Sequence, residues 1–277
     1  MSKKEIDPKY SPEGLPPVKN YFLYTYRCLI KMFAFAFFGI GSVFVAIVIF
    51  IMRIFIHPKK TFKKAARSFT SLTFRGFINM LRVLGCLSLK VDDRKKYKSL
   101  KSKIIIANHP SILDVVFIIS LVPNTDCIVR GGLAKTILAG VIRQIYMVNT
   151  LGYEEMVQLS KEALDSGSNL IVFPEGTRTP RHGTNPYKRG AARIALETGY
   201  DVQPIYIGGT DKYGLGKHDR WFSYNPTEKY VYDMHILDEI KIDAYKDMDA
   251  AIAARHLTDD MHEKIASAAM SIDGRTV

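Results

Sequence analysis

Residues 32–52 hold no charged side chain, and Lys31 and Arg53 close the run at its ends. A helix rises about 1.5 Å per residue, so this segment reaches about 30 Å, the thickness of a bilayer's hydrocarbon core. A soluble fold rarely hides a helix of that length, so the segment calls for a membrane-embedded N-terminal element. It is a poor secretory signal, because a long polar and mixed stretch precedes it and no A-x-A-type site follows. Both flanks are basic: Lys19, Arg27 and Lys31 before, Arg53, Lys59, Lys60, Lys63 and Lys64 after. That symmetry favours both ends on the cytoplasmic side of the cytoplasmic membrane. Gly39, Gly41 and Ser42 sit mid-segment, where a helix can break. The expectation is a hairpin of residues 21–38 and 43–56 dipping into one leaflet; a single spanning helix is the other topology allowed.

The charge that follows belongs with this segment. The chain carries a net charge of +12 over 277 residues. Residues 59–103 alone contain fourteen Lys and Arg against two acids, Asp92 and Asp93, an excess of 14 − 2 = 12. A basic block beside an apolar run reads as a juxtamembrane collar facing anionic lipid, and no nucleic-acid motif accompanies it. Within it, Phe62, Phe69, Phe74, Phe77, Ile78 and Leu81 recur at helical spacing among Lys63, Lys64, Arg67, Arg75 and Arg82. Two arrangements fit: an amphipathic helix on the lipid surface, or a helix packed on the domain with a solvated basic face. Cys28, Cys86 and Cys127 are too scattered for a disulfide framework or a zinc site.

Beyond residue 100 strands and helices alternate. Strands are expected at 103–107, 126–130, 146–148, 169–173, 202–207 and 230–236, and helices at 112–120, 133–145, 153–165, 189–198 and 247–270. Such alternation specifies an α/β fold, a largely parallel sheet flanked by helices. The chain divides into an anchor (1–58), a basic helix and linker (59–100) and the α/β domain (101–277). Sites in open α/β sheets gather beyond the carboxyl ends of strands, so the residues after "KIIIA", "NLIVF" and "VQPIYI" are the first candidates.

After "KIIIA" comes "NHPSILD". His109 and Asp114 are five residues apart, about 140° around a regular helix, and would not meet there. Pro110 suits the first helical position and biases His109 toward a turn, from which Asp114 can reach the imidazole. Such a pair makes the other ring nitrogen a general base. An unrelated histidine and aspartate at a helix start is the plainer alternative. After "NLIVF" comes "FPEGTRT", where Gly176 allows close backbone approach and Arg178 can hold an anion; a polar turn with a Glu175–Arg178 pair is the alternative. Lys188 and Arg189 lead into a helix whose N-terminus attracts anions. Pro204 interrupts "VQPIYI" and is a candidate wall for an acyl tunnel.

The order NH-x4-D, FPEGTR, K-x-G and V-x-P-I-Y, each after a strand, resembles the glycerolipid acyltransferase superfamily over residues 101–208, most nearly the pattern of bacterial 1-acylglycerol-3-phosphate acyltransferases. The resemblance implies a membrane-bound O-acyltransferase of phospholipid biosynthesis, with the catalytic domain facing the cytoplasm. His109 would deprotonate the hydroxyl of a lysolipid, most simply 1-acylglycerol-3-phosphate, and the alkoxide would attack the thioester of an acyl-CoA or acyl-carrier protein, with Asp114 orienting the histidine. Glu175, Gly176, Thr177, Arg178, Lys188 and Arg189 would bind the acceptor, with Arg178 on the phosphate. A backbone N–H near Gly176 is a candidate oxyanion donor. No metal and no bound cofactor is implied. One stretch departs from the pattern. Where phosphate-using members carry G-x-x-F-I-D-R, residues 143–152 read "RQIYMVNTLG", and Val148, Asn149 and Thr150 replace the Asp–Arg. Arg130 or Arg143 could substitute, or the acceptor could lack the phosphate, as in an amino-acid lipid or glycolipid. A thioesterase and a non-catalytic lipid-binding protein are the alternatives from other classes.

Overall fold

The computed structural model describes residues 7–129, 147–148 and 152–277. Helix α1 (Tyr21–Phe55) is capped by the Asn20 side chain, which accepts from the Leu23 N–H. It runs unbroken through Gly39, Gly41 and Ser42, so the expected hairpin of 21–38 and 43–56 does not form. Two glycines cost a helix only about 1 kcal/mol each, and the Ser42 hydroxyl is absorbed by the Phe38 carbonyl at 2.6 Å. The chain turns instead at His57 and Pro58, where proline ends helical geometry in its predecessor. Helix α2 (Lys59–Val83) then returns along α1, with Phe62 and Ala66 buried against Ile49 and with Phe74 and Phe77 against Phe38.

Further along, α2 packs on α4 (Asp114–Leu121). Of the two arrangements the sequence allows for this helix, packing on the domain is the one adopted. Arg67 anchors it through a buried ion pair to Asp126 and a 3.4 Å contact to Asn124 Oδ1. Between α2 and α4 come β1 (Leu87–Val91), α3 (Arg94–Ser99) and β2 (Ile104–Ala107). Strand β1 joins the sheet through β7, so the sheet begins inside residues 59–100, the segment assigned to helix and linker.

The remaining elements are β3 (Thr125–Val129), β4 (Met147–Val148), α5 (Tyr153–Asp165), β5 (Asn169–Val172), α6 (Gly190–Thr198), β6 (Val202–Gly208), β7 (Tyr230–Ile236) and α7 (Ala250–Asp273). The sheet has the order β1-β7-β6-β2-β5-β3-β4 and is parallel throughout except at β6–β7. The helix expected at 133–145 lies outside the described residues. Strand β6 runs straight through Pro204. The ladder to β7 starts at Ile205, so the missing N–H falls just before it.

Strand β2 is buried on both faces, and its alternation divides the core. Ile105 and Ala107 pack with α1, α2 and α4; Ile104 and Ile106 pack with α5, α6 and α7. Its neighbours β5 and β6 are both parallel to it, so the three carboxyl ends lie side by side. Replacing Asp126 with alanine strands the buried Arg67 charge, and urea denaturation is expected to show a loss of about 3–5 kcal/mol. A change within experimental error would mean that the pair does not hold α2 in place.

Candidate active site

His109 leaves the end of β2 in a turn, not a helix; α4 begins only at Asp114. The five-residue interval therefore closes, and His109 Nδ1 stands 2.8 Å from Asp114 Oδ2. Asp114 is completely buried, a position a carboxylate holds only when its oxygens are hydrogen-bonded. Oδ2 also accepts from the Ser111 N–H at 2.7 Å, and Oδ1 accepts from the Ser111 hydroxyl at 2.5 Å. The Ser111 oxygen then lies 2.7 Å from the Tyr232 hydroxyl, which donates, since the Ser111 proton is given to Asp114; burial and the nearby Asp114 charge hold that phenol well above its ordinary value. The carboxylate places the imidazole proton on Nδ1 and leaves the lone pair on Nε2. The imidazole stacks on Phe173, ring centres 4.1 Å apart, which fixes its plane.

The loop after β5 is tied to this turn. The His109 N–H donates to Thr179 Oγ1 at 2.7 Å, and the Thr179 N–H donates to the His109 carbonyl at 2.8 Å. Glu175 is buried. One oxygen accepts from the Thr179 hydroxyl, the other from Asn185 Nδ2 at 2.7 Å. Burial pushes its carboxyl up, against hydrogen bonds from Thr179 and Asn185 and the nearby His109. Glu175 thus shapes the loop from inside. Tyr10 reaches the same loop, with its hydroxyl 3.2 Å from Asn185 Oδ1 and 3.3 Å from the Arg178 carbonyl.

The basic residues gather at the loop's outer side. Gly176 has φ +64°, and a Cβ there would stand 2.8 Å from Lys188 Nζ, so Lys188 lies directly over it. The Gly176 N–H donates to the Phe173 carbonyl at 3.0 Å, which removes it as an oxyanion donor. Arg178 Nη1 donates to the Leu215 and Gly216 carbonyls at 3.0 and 2.6 Å. Thr177 is half-buried beside it; Arg189 is exposed and caps α6. Arg130, Arg143, Asn149 and Thr150 lie outside the described residues, as does the Val148 side chain.

A buried cation stands near the His109–Asp114 pair. Lys212 Nζ donates to the Gly208, Thr210 and Val231 carbonyls and sits 4.8 Å from the centre of the Tyr232 ring. Ser111, Thr179 and Phe173 stand within or beside the motifs read from sequence, whereas Tyr10, Asn185, Lys212 and Tyr232 reach the site only through the fold. On the other side of the turn, Ile112, Leu113, Val115, Val116 and Ile119 line an apolar cavity of about 640 Å³ whose remaining wall is mostly α1 and α2, with Leu87, Cys127, Leu215 and Tyr230 closing it. Pro204 takes no part in it.

Burial pushes the Lys212 amine down to about 8, with the Asp114 charge foremost among the groups opposing the shift. Its folded value is below its ordinary 10.5, so between those values the unfolded chain binds more protons and stability rises with pH. Lys212→Met should flatten that rise in urea denaturation across the window. An unchanged slope would contradict the assignment.

Residues 88–208 match the family model described as acyltransferase. A chloroplastic protein of Brassica napus named 1-acyl-sn-glycerol-3-phosphate acyltransferase BAT2 is 30% identical over 39% of this chain and 33% of its own length. Proteins named 1-acyl-sn-glycerol-3-phosphate acyltransferase from Cocos nucifera and Haemophilus influenzae are 26% and 27% identical, over 56% and 67% of this chain and 53% and 78% of theirs. The chain thus spans only a third to about half the length of the two plant relatives. The crystal structure of the 1-acyl-sn-glycerophosphate (LPA) acyltransferase PlsC from Thermotoga maritima shares the fold, with a TM-score of 0.68 at 19% identity over 90% of this chain and 97% of that one.

Proposed function

We propose, from the premise that residues 88–208 form an acyltransferase-family domain, that the chain acylates the hydroxyl of a phosphate-bearing lysolipid, 1-acylglycerol-3-phosphate being the first choice, at a membrane surface. The observation that carries this reading is the 2.8 Å His109–Asp114 pair in the same turn whose Ile112 and Leu113 wall the apolar cavity. A base and a channel for a fatty chain thus adjoin.

His109 Nε2 takes the proton of the acceptor hydroxyl. The oxygen attacks the thioester carbonyl carbon, and the imidazolium is stabilised by Asp114. Collapse of the tetrahedral intermediate breaks the carbon–sulfur bond, and the proton on His109 passes to the departing thiolate of acyl-CoA or acyl-carrier protein. Arg178 and Lys188 supply positive charge at the mouth, where a phosphate monoester would be held. The fatty chain occupies the cavity between α1, α2 and α4.

The membrane contact is α1. Phe22, Tyr26, Leu29, Phe33, Phe37, Ile40, Phe44, Ile47, Ile51 and Ile54 are all exposed and recur every three to four residues, an uncharged stripe along the whole helix. The opposite side of the helix is packed on the domain and α2, and α2 brings four basic residues, Lys59, Lys60, Lys63 and Lys64, back beside it. A helix in that setting lies in the plane of one leaflet with the domain on the cytoplasmic side.

In an assay of thiol release with lysophosphatidic acid and vesicles, His109→Ala should lower transfer about 10²–10⁴-fold while circular dichroism and vesicle sedimentation stay unchanged. Near-normal turnover would refute the base. Thiol release without acceptor would favour a thioesterase. Gly41 lines the cavity and has open space around its Cβ position, so Gly41→Leu should fold and shorten the preferred acyl chain. An unaltered product profile by mass spectrometry would place the acyl chain elsewhere.

A further inference from the structure

The loop joining β6 to β7, residues 209–229, is fastened at three points. Lys31 of α1 donates its amine to the Gly214 and Ser223 carbonyls at 3.0 and 2.5 Å. The Ile112 N–H, from the His109 turn, donates to the Leu215 carbonyl at 3.0 Å. Arg178 donates to the Leu215 and Gly216 carbonyls. Gly214 makes this convergence possible: its φ is +93°, and a Cβ would stand 2.3 Å from the Ser223 carbonyl oxygen and 2.8 Å from Lys31 Nζ.

Between these fixed points the loop holds two large side chains out in solvent. Trp221 is 71% exposed and Phe222 53%. The indole stands edge-on to Phe35 of α1, centres 5.6 Å apart. Phe35 and Phe37 are two residues apart and so point about 200° apart around the helix. Phe37 meets Phe77 of α2. Helix α1 therefore has α2 on one flank and Trp221 on the other, with its exposed stripe, including Phe33 and Ile40, between them. Of the charged residues that precede Trp221 in the chain, Lys217 and His218 stand against the Tyr10 ring. Arg220 and His218 are exposed and Lys217 half-exposed, while Asp219 is turned inward onto the Gly214 and Gly216 N–H groups at 2.8 Å.

We propose that Trp221 and Phe222 are a second membrane contact, seated at the headgroup–acyl boundary of an anionic bilayer beside α1. Tryptophan suits that boundary, with an apolar ring and one polar N–H. Arg220, exposed next to Trp221 in the chain, complements anionic headgroups, and the patch borders the exposed stripe of α1. The loop that accepts from Arg178 then rests on the surface from which the lysolipid comes. This rests on the membrane reading of α1, and the test separates the two.

Trp221 is the chain's one tryptophan, so selectively excited tryptophan emission reports on this loop alone. Vesicles of phosphatidylcholine and phosphatidylglycerol, added to the full chain, should shift the emission to the blue, and lipids brominated near the headgroup should quench it. W221A/F222A should weaken vesicle sedimentation about tenfold without changing the circular dichroism. Sedimentation with unshifted, unquenched emission, or a double variant that binds as the wild type does, would overturn the second contact and leave α1 as the anchor. Absence of sedimentation would overturn both.

Discussion

A carboxylate with no exposure to water is tolerated only where every lone pair it must satisfy has a donor, and Asp114 organises the site for that reason. Its donors come from the imidazole, from a main-chain N–H and from a hydroxyl, all within five residues. They can converge because His109 lies in the turn and Asp114 opens the helix. The hydroxyl is itself oriented by Tyr232, from a strand two places away in the sheet, and the Tyr232 ring carries the Lys212 amine above it. His109 is thus braced from β7 as well as from its own loop. An imidazole whose tautomer and plane are both fixed needs no rearrangement before it exchanges a proton.

The sheet supplies the second half of the arrangement. Parallel pairing of β5, β2 and β6 brings three loops to one edge, and Asn108 locks that edge by exchanging hydrogen bonds with Ile207 at 2.8 and 3.0 Å. The Thr179–His109 exchange does the same across to the loop after β5. Because both face-cores close on β2, neither loop can slide without disturbing buried isoleucines. The apolar cavity lies on one of those faces only, the one roofed by α1 and α2. Helix α1 and the apolar cavity are consequently parts of a single packing unit.

The local signals in the chain were strong where periodicity and burial agreed. "KIIIA", "NLIVF" and the Tyr230–Ile236 segment became strands at or within one residue of their expected limits, and residues 153–165 became a helix over that full range. Strand β1 escaped notice because "LSLKV" is short and set within the basic stretch, so charge hid its pairing with β7. The glycines of α1 suggested a break that apolar continuity overrode. At the site, His109, Asp114 and the FPEGTR loop were legible since their chemistry is written in consecutive residues. Glu175 was assigned to the acceptor, and burial gives it loop-shaping contacts with Thr179 and Asn185. Tyr10, Asn185, Lys212 and Tyr232 carried no local signal, as each acts across a long stretch of chain that only folding closes.

Lys31 shows what such long-range contacts accomplish. It marks the edge of the uncharged run, where a lysine would ordinarily sit in the headgroup layer. Here its amine is turned inward onto two carbonyls of the β6–β7 loop. Burying an ammonium is costly unless it is well hydrogen-bonded. The contact therefore forms only when α1 and the loop are correctly seated together, and the same loop receives Arg178 and the His109 turn. The loop is thus held by α1 through Lys31 at Gly214 and Ser223, and by the His109 turn and Arg178 at Leu215 and Gly216, immediately beyond Gly214.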